Sequence, residues 1–99
     1  MPATAAADVE VVMTELAANV IDHTDSEWVQ VAIDVGDGVV IVEVTQNSSV
    51  LSVPPVECWG LLEEGDRGRG LRIVRALSRH IEISGNDVRT SITCEIAVN

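Results

Sequence analysis

Near the start of the chain the apolar residues Val9, Val12, Met13, Leu16, Val20 and Ile21 recur at helical spacing, which predicts an amphipathic helix with one face toward a core. Asp8 stands just before them, a side chain suited to cap the first turn. From Trp28 to Asp34 the pattern changes to alternation, with Val29, Val31 and Ile33 on one face, and Val39 to Thr45 is a β-branched run. Gly36-Asp37-Gly38 lies between them as a turn, so the two segments predict a β-hairpin. Between Gln46 and Arg67 the periodicity fails, in a stretch that holds Ser48, Ser49, Ser52, the Pro54-Pro55 pair and Glu63-Glu64. About twenty patternless residues in so small a chain predict a functional loop or lid. Gly68-Arg69-Gly70 then opens a second helix, Leu71 to Arg79, with Leu71, Val74 and Leu77 or Ser78 turned inward. A strand near Ile81 to Ser84, a turn at Gly85-Asn86-Asp87 and a long alternating strand from Val88 to Val98 complete the chain. The order helix, hairpin, loop, helix, hairpin predicts an α+β fold, a two-layer α/β sandwich with both helices on one face of an antiparallel or mixed sheet.

Ninety-nine residues, 46% of them apolar, suffice for a single domain over 1–99 with one core. All six basic residues are arginines, and with sixteen carboxylates the formal charge is −10. Such a chain repels a phosphate backbone, so nucleic acid is not an expected partner. Arg67, Arg69, Arg72, Arg75 and Arg79 fall in one short segment, the place to expect an anion, an acidic partner or pairing with the chain's own carboxylates. Cys58 and Cys94 are far apart and fit no metal-ligand spacing, so they are expected to be reduced thiols. Met1 to Ala7 lacks the basic start and apolar run of a signal peptide, and no apolar stretch reaches the ~18 residues of a membrane span. A cytoplasmic location with no membrane contact is expected.

Two constellations carry chemistry. Glu15 and Asn19 are neighbours on one side of the first helix, at the edge of its apolar stripe. An amide oxygen there can bind Mg2+, and a carboxylate one turn away can accept a proton from a hydroxyl. The second is Gly65-Asp66-Arg67-Gly68-Arg69-Gly70-Leu71 leading into a helix. Glycines allow close backbone approach, amides at a helix start favour phosphate, and Arg67 and Arg69 can add charge-assisted hydrogen bonds.

Glu15-Leu16-Ala17-Ala18-Asn19-Val20-Ile21-Asp22-His23 resembles the N box, E-L-x-x-N-x-x-x-H, of the bacterial anti-sigma-factor serine kinases, a branch of the GHKL (Bergerat-fold) ATPases. Gly68-Arg69-Gly70-Leu71-Arg72-Ile73-Val74 resembles their second glycine box, G-x-G-L-x-x-V, and the likeness runs over nearly all of 8–98. The resemblance implies a Bergerat-like fold, ATP and Mg2+ as cofactors, Glu15 as general base and Asn19 as magnesium ligand. It also implies Gly68, Arg69, Gly70 and Leu71 as the phosphate segment and 46–67 as the lid. The implied partners are a sigma factor held by direct binding and a small antagonist protein phosphorylated on serine or threonine, in a bacterial partner-switching system that regulates transcription.

His23 matches the last N-box position and equally suits the negative end of the helix dipole. Where the family carries D-x-G-x to anchor adenine, this chain has Gln46 and Ser48 in place of the Asp and Gly. A threonine that the family uses near the nucleotide corresponds to Thr90 or Ser91. The family's N-terminal strand and helix are missing ahead of the N box, which leaves a sheet edge bare and leads us to expect a homodimer or a bound partner. Trp59, in the lid, either anchors a partner or packs the lid on the body. Two functional readings follow: a serine/threonine kinase, or a protein-binding module that works without nucleotide on the same fold.

Overall fold

The computed structural model describes residues 3–59 and 65–98, apart from the side chains of 65–68. Helix α1 spans Ala3–His23. It starts earlier than the apolar periodicity predicts, because Ala3 and Ala5 to Ala7 have the highest helix propensity and extend the helix upstream. Asp8 therefore lies inside α1 and is not its cap. Ala5, Val9, Val12, Leu16 and Val20 form the buried stripe, with Asn19 beside it. The helix ends where both the amide and the hydroxyl of Thr24 bond to the Val20 carbonyl, at 3.2 and 2.7 Å.

Strands β1 (Val29–Gly36), β2 (Val39–Gln46), β3 (His80–Gly85) and β4 (Thr90–Ala97) form one sheet in the order β1-β2-β4-β3, antiparallel throughout. The β1–β2 turn carries a positive φ of 71° at Gly38 and none at Asp37. Helix α2 spans Gly65–Leu77 and packs on α1, and both cover one face of the sheet. The predicted α+β sandwich is the observed one, with a wholly antiparallel sheet.

The core lies between the layers. Val40, Val42 and Val44 of β2 and Ile92, Cys94 and Ile96 of β4 meet Val12, Leu16 and Val20 of α1 and Leu71 and Val74 of α2. Each fully buried aliphatic side chain contributes about 1.5–3 kcal/mol. Between β2 and α2 the chain forms two 3-10 turns, Val50–Ser52 and Val56–Cys58, and then reaches Trp59, which is wholly buried and donates its indole N–H to the Pro54 carbonyl at 2.8 Å. Of the two roles foreseen for Trp59, packing the loop on the body is the one its position serves.

The alternation in β1 assigns a face correctly but not its burial. Val31, Ile33 and Val35 share the face of Val44, Val42 and Val40, their register partners, yet only Val29 of β1 packs against the core. Helix α1 packs on β1 as well as on β2 and β4, but along β1 it leaves Val31, Ile33 and Val35 exposed.

Burial pushes the Cys94 thiol up from 9.0 to about 11, the nearby Ser78 hydroxyl opposing the shift slightly. Ser78 Oγ itself has no partner within hydrogen-bond geometry, so burial dominates. The native state thus holds this proton more tightly than the unfolded chain does. Its contribution is full below pH 9 and falls as pH rises toward 11. We expect a Cys94→Ala or Cys94→Val protein to lose less stability than the parent between pH 9 and 11, by up to about 2 kcal/mol, in urea melts across that range. Parallel curves would refute the assignment.

Candidate functional site

At the C-terminal half of α1, Asn19 is 5% exposed, and neither its amide nitrogen nor its amide oxygen has a hydrogen-bond partner. Buried amides are nearly always paired, and leaving one unpaired costs about 1–3 kcal/mol. Asn19 sits in a cleft of about 20 Å³ lined also by Glu15, Asp22, His23, Gly70 and Leu71. That volume admits one water or one ion. Two carboxylates, Glu15 and Asp22, stand on its wall.

The cleft closes where α2 crosses α1. A Cβ built on Gly70 would meet Glu15 Oε2, the mobile end of that side chain, so the carboxylate lies directly against the backbone of the second helix at Gly70. Gly68, Arg69, Gly70 and Leu71 lie inside α2, whereas the sequence places Gly68 to Gly70 in a turn ahead of it. The free amides of the helix start therefore belong to 65–68 rather than to 69–71. Leu71 is 1% exposed and a core residue, and Arg69 is exposed. Residues 60–64 of the expected lid and the side chain of Arg67 lie outside the described residues.

A second polar group lies at the same end of the fold, where the turn after α1 meets the end of β2 through Ser26 and Asn47, joined at 2.6 Å. Gln46, the last residue of β2, is 1% exposed. Its amide nitrogen donates to Ser48 Oγ in a short bond and to Ser52 Oγ at 3.3 Å, and Ser52 passes its own proton to the Ser49 carbonyl at 2.6 Å. Gln46 Oε1 is buried without a donor. The register sets Gln46 opposite Thr90, which is wholly buried and donates to the Ser48 carbonyl at 2.8 Å. Ser91 lies on the other face against Thr45, 3.0 Å away. Of the two candidates, Thr90 is thus the one beside Gln46 and Ser48. Ser52 was not foreseen from sequence; only its spacing from Ser48 within a serine-rich stretch hinted at it.

Ser48 is half-buried, with its hydroxyl turned to Gln46. His23 is exposed at the rim. The second helix ends at Leu77, short of the predicted Arg79; Arg79, beyond it, pairs with Glu95 at 3.1 Å, and Arg75 of α2 donates to the Glu57 carbonyl at 3.2 Å. Both are surface contacts of small energetic weight. Among the described residues no group of three or more His, Cys, Asp or Glu could hold a metal unaided. A cation beside Asn19 would need oxygens from a ligand. Nor, among the described residues, is any helix long and apolar enough to cross a membrane.

A helix-borne glutamate and asparagine facing a glycine on a second helix, over a four-stranded antiparallel sheet, define a small α+β sandwich built around a polar cleft. The chain matches the family model of the histidine kinase-like ATPase domain over residues 1–95 and belongs to that family. No curated protein matches it.

Proposed function

We propose that the chain is a regulatory ATP-binding protein of the anti-sigma type, with serine/threonine kinase activity toward a small antagonist protein. The observation that carries this reading is the buried, wholly unpartnered amide of Asn19, in a cleft with Glu15 and against Gly70. A fold tolerates such a group where a ligand completes it. An amide carbonyl is a hard oxygen donor suited to Mg2+, which is commonly held by very few protein ligands plus phosphate oxygens.

When bound, Mg-ATP supplies the phosphoryl group for transfer. Asn19 Oδ1 holds the ion. Glu15, within reach of the same cleft, accepts the proton of the attacking serine hydroxyl. Gln46 Oε1, a buried acceptor in need of a donor, takes the adenine amino group, with Thr90 and Ser48 fixing its surroundings. The free amides at the start of α2, residues 65–68, would meet the phosphates, with the exposed Arg69 one residue further on to add charge. The sigma factor and the antagonist bind outside this pocket.

Glu15→Gln is expected to leave Mg-ATP affinity within a few-fold of the parent and to lower phosphoryl transfer by about 10²–10⁴. Calorimetry and transfer to a serine-bearing antagonist measure the two. Undiminished turnover in this variant would remove Glu15 from the role. The second reading, a protein-binding module without nucleotide, draws on Gln46 and Ser48 at the base anchor and on the Gln46 amide already committed to Ser48 and Ser52. It predicts no heat from millimolar Mg-ATP and undiminished partner binding.

A further inference from the structure

We propose that Ser52 is a positioning residue for base recognition: it sets the direction of the Gln46 side-chain amide, so that the site selects a 6-amino purine over a 6-oxo purine. The inference rests on the nucleotide reading above and adds to it a residue that lies in the loop after β2, outside both the N box and the glycine box. A carboxylate at position 46 would present an acceptor whichever way it turned. An amide turned over by half a circle exchanges its oxygen for its nitrogen, an acceptor for two donors. One orientation accepts from the amino group of adenine, and the other donates to the 6-oxygen of hypoxanthine or guanine. Gln46 therefore discriminates only if its orientation is fixed.

The group that fixes it stands at the end of a short chain of hydroxyls. The amide nitrogen of Gln46 meets Ser48 Oγ in a short bond and Ser52 Oγ at 3.3 Å, and the two hydroxyl oxygens are 3.5 Å apart. A hydroxyl can donate or accept, so Ser48 by itself would suit either end of the amide. Ser52 would not. Its Oγ lies 2.6 Å from the Ser49 carbonyl, which can only accept, so the one hydroxyl proton of Ser52 points there. The 3-10 turn Val50–Ser52 holds that carbonyl in place, with the Ser52 backbone amide donating to it at 2.9 Å. Toward Gln46, Ser52 thus offers a lone pair and receives only the nitrogen end of the amide. Thr90, opposite Gln46 in the sheet, likewise sends its hydroxyl proton to the Ser48 carbonyl. The protons of Ser52 and Thr90 both run away from Gln46 Oε1, which is left a buried acceptor without a donor. Turning the amide over would set its oxygen against the Ser52 lone pair and leave its N–H groups to face the base.

Two measurements test this, the first without nucleotide. In the nucleotide-free chain the Gln46 side-chain N–H protons are expected to show nuclear Overhauser contacts to the methylene protons of Ser48 and Ser52. Their absence overturns the orientation, whatever the chain binds. The second is calorimetry with Mg2+ and either ATP or inosine triphosphate, which carries oxygen in place of the 6-amino group. The parent is expected to favour ATP by about tenfold to a hundredfold, the weight of one buried hydrogen bond made or left unmade. Ser52→Ala, folded by circular dichroism, is expected to bring the two affinities near parity, mainly through a gain for inosine triphosphate. Ser52→Thr keeps the hydroxyl and is expected to restore the preference. A merely structural role for Ser52 would weaken both nucleotides together, so an unchanged ratio in Ser52→Ala overturns the proposal while leaving the nucleotide site intact. A parent that binds neither nucleotide at millimolar concentration overturns the nucleotide reading and the selection with it.

Discussion

Asn19→Leu is expected to raise the stability of the fold by about 1 kcal/mol or more and at the same time to abolish Mg2+-dependent nucleotide binding. The two effects have one cause. In the folded chain the Asn19 amide is buried with no partner for either polar atom, a penalty of about 1–3 kcal/mol. Leucine has a similar shape and a better helix propensity, and it carries no group to desolvate. The position lies beside Leu16, Val20 and Leu71, so an apolar side chain has neighbours to meet. A residue that weakens the fold in isolation and is indispensable to a ligand marks a functional site. Urea denaturation gives the first effect and calorimetry with Mg-ATP the second. A destabilised Asn19→Leu protein would mean that the amide has a structural partner after all, and unchanged affinity would mean that it has no part in the site.

Trp59→Ala is expected to cost about 3–5 kcal/mol, a large share of the stability of a domain this size. With no Phe or Tyr in the chain, Trp59 is the largest side chain in the core, wholly buried against residues of both layers and bonded through its indole N–H to Pro54. Its bond to the Pro54 carbonyl ties the loop that follows Ser52 to the core. Trp59→Phe keeps most of the packing and loses that bond, so about 1–2 kcal/mol is expected. Equilibrium unfolding followed by the far-ultraviolet signal measures both. If the alanine variant lost less than about 1 kcal/mol, the loop would be held by something other than this ring.

Much of the architecture is legible in the pattern of apolar positions. The stripe on α1 and the alternation in β2 and β4 fix which residues face each other, and the glycine-bearing turns fix where the chain reverses. The start of α2 is not legible in this way. Gly65, Asp66, Gly68 and Gly70 have poor helix propensity, and the helix they join is stabilised by Leu71 and Val74 packing against the core. The exposure of β1 is hidden for a related reason: alternation tells which face a residue shares, not how far along it a helix reaches.

The site divides along the same line. The helical wheel sets Glu15 and Asn19 at the edge of the apolar stripe, but only the approach of Gly70 makes that edge an interior. The choice between Thr90 and Ser91 rests on strand register, since the residue opposite Gln46 faces the helices and its neighbour cannot. The buried carbonyl of Gln46 follows from three-dimensional contacts with Ser48 and Ser52 that local periodicity does not encode. The match to the histidine kinase-like ATPase domain over 1–95 agrees with the N-box and glycine-box resemblance and leaves the anti-sigma role to experiment.

The most direct measurement follows the side-chain amide resonances of Asn19 and Gln46, by nitrogen–proton correlation spectroscopy, as Mg2+ and a non-hydrolysable ATP analogue are added. Both groups are buried and both have an unpartnered oxygen. Saturable shifts of both, with that of Asn19 requiring Mg2+, are the predicted result. Resonances that stay in place at millimolar ligand would contradict a nucleotide site in this fold.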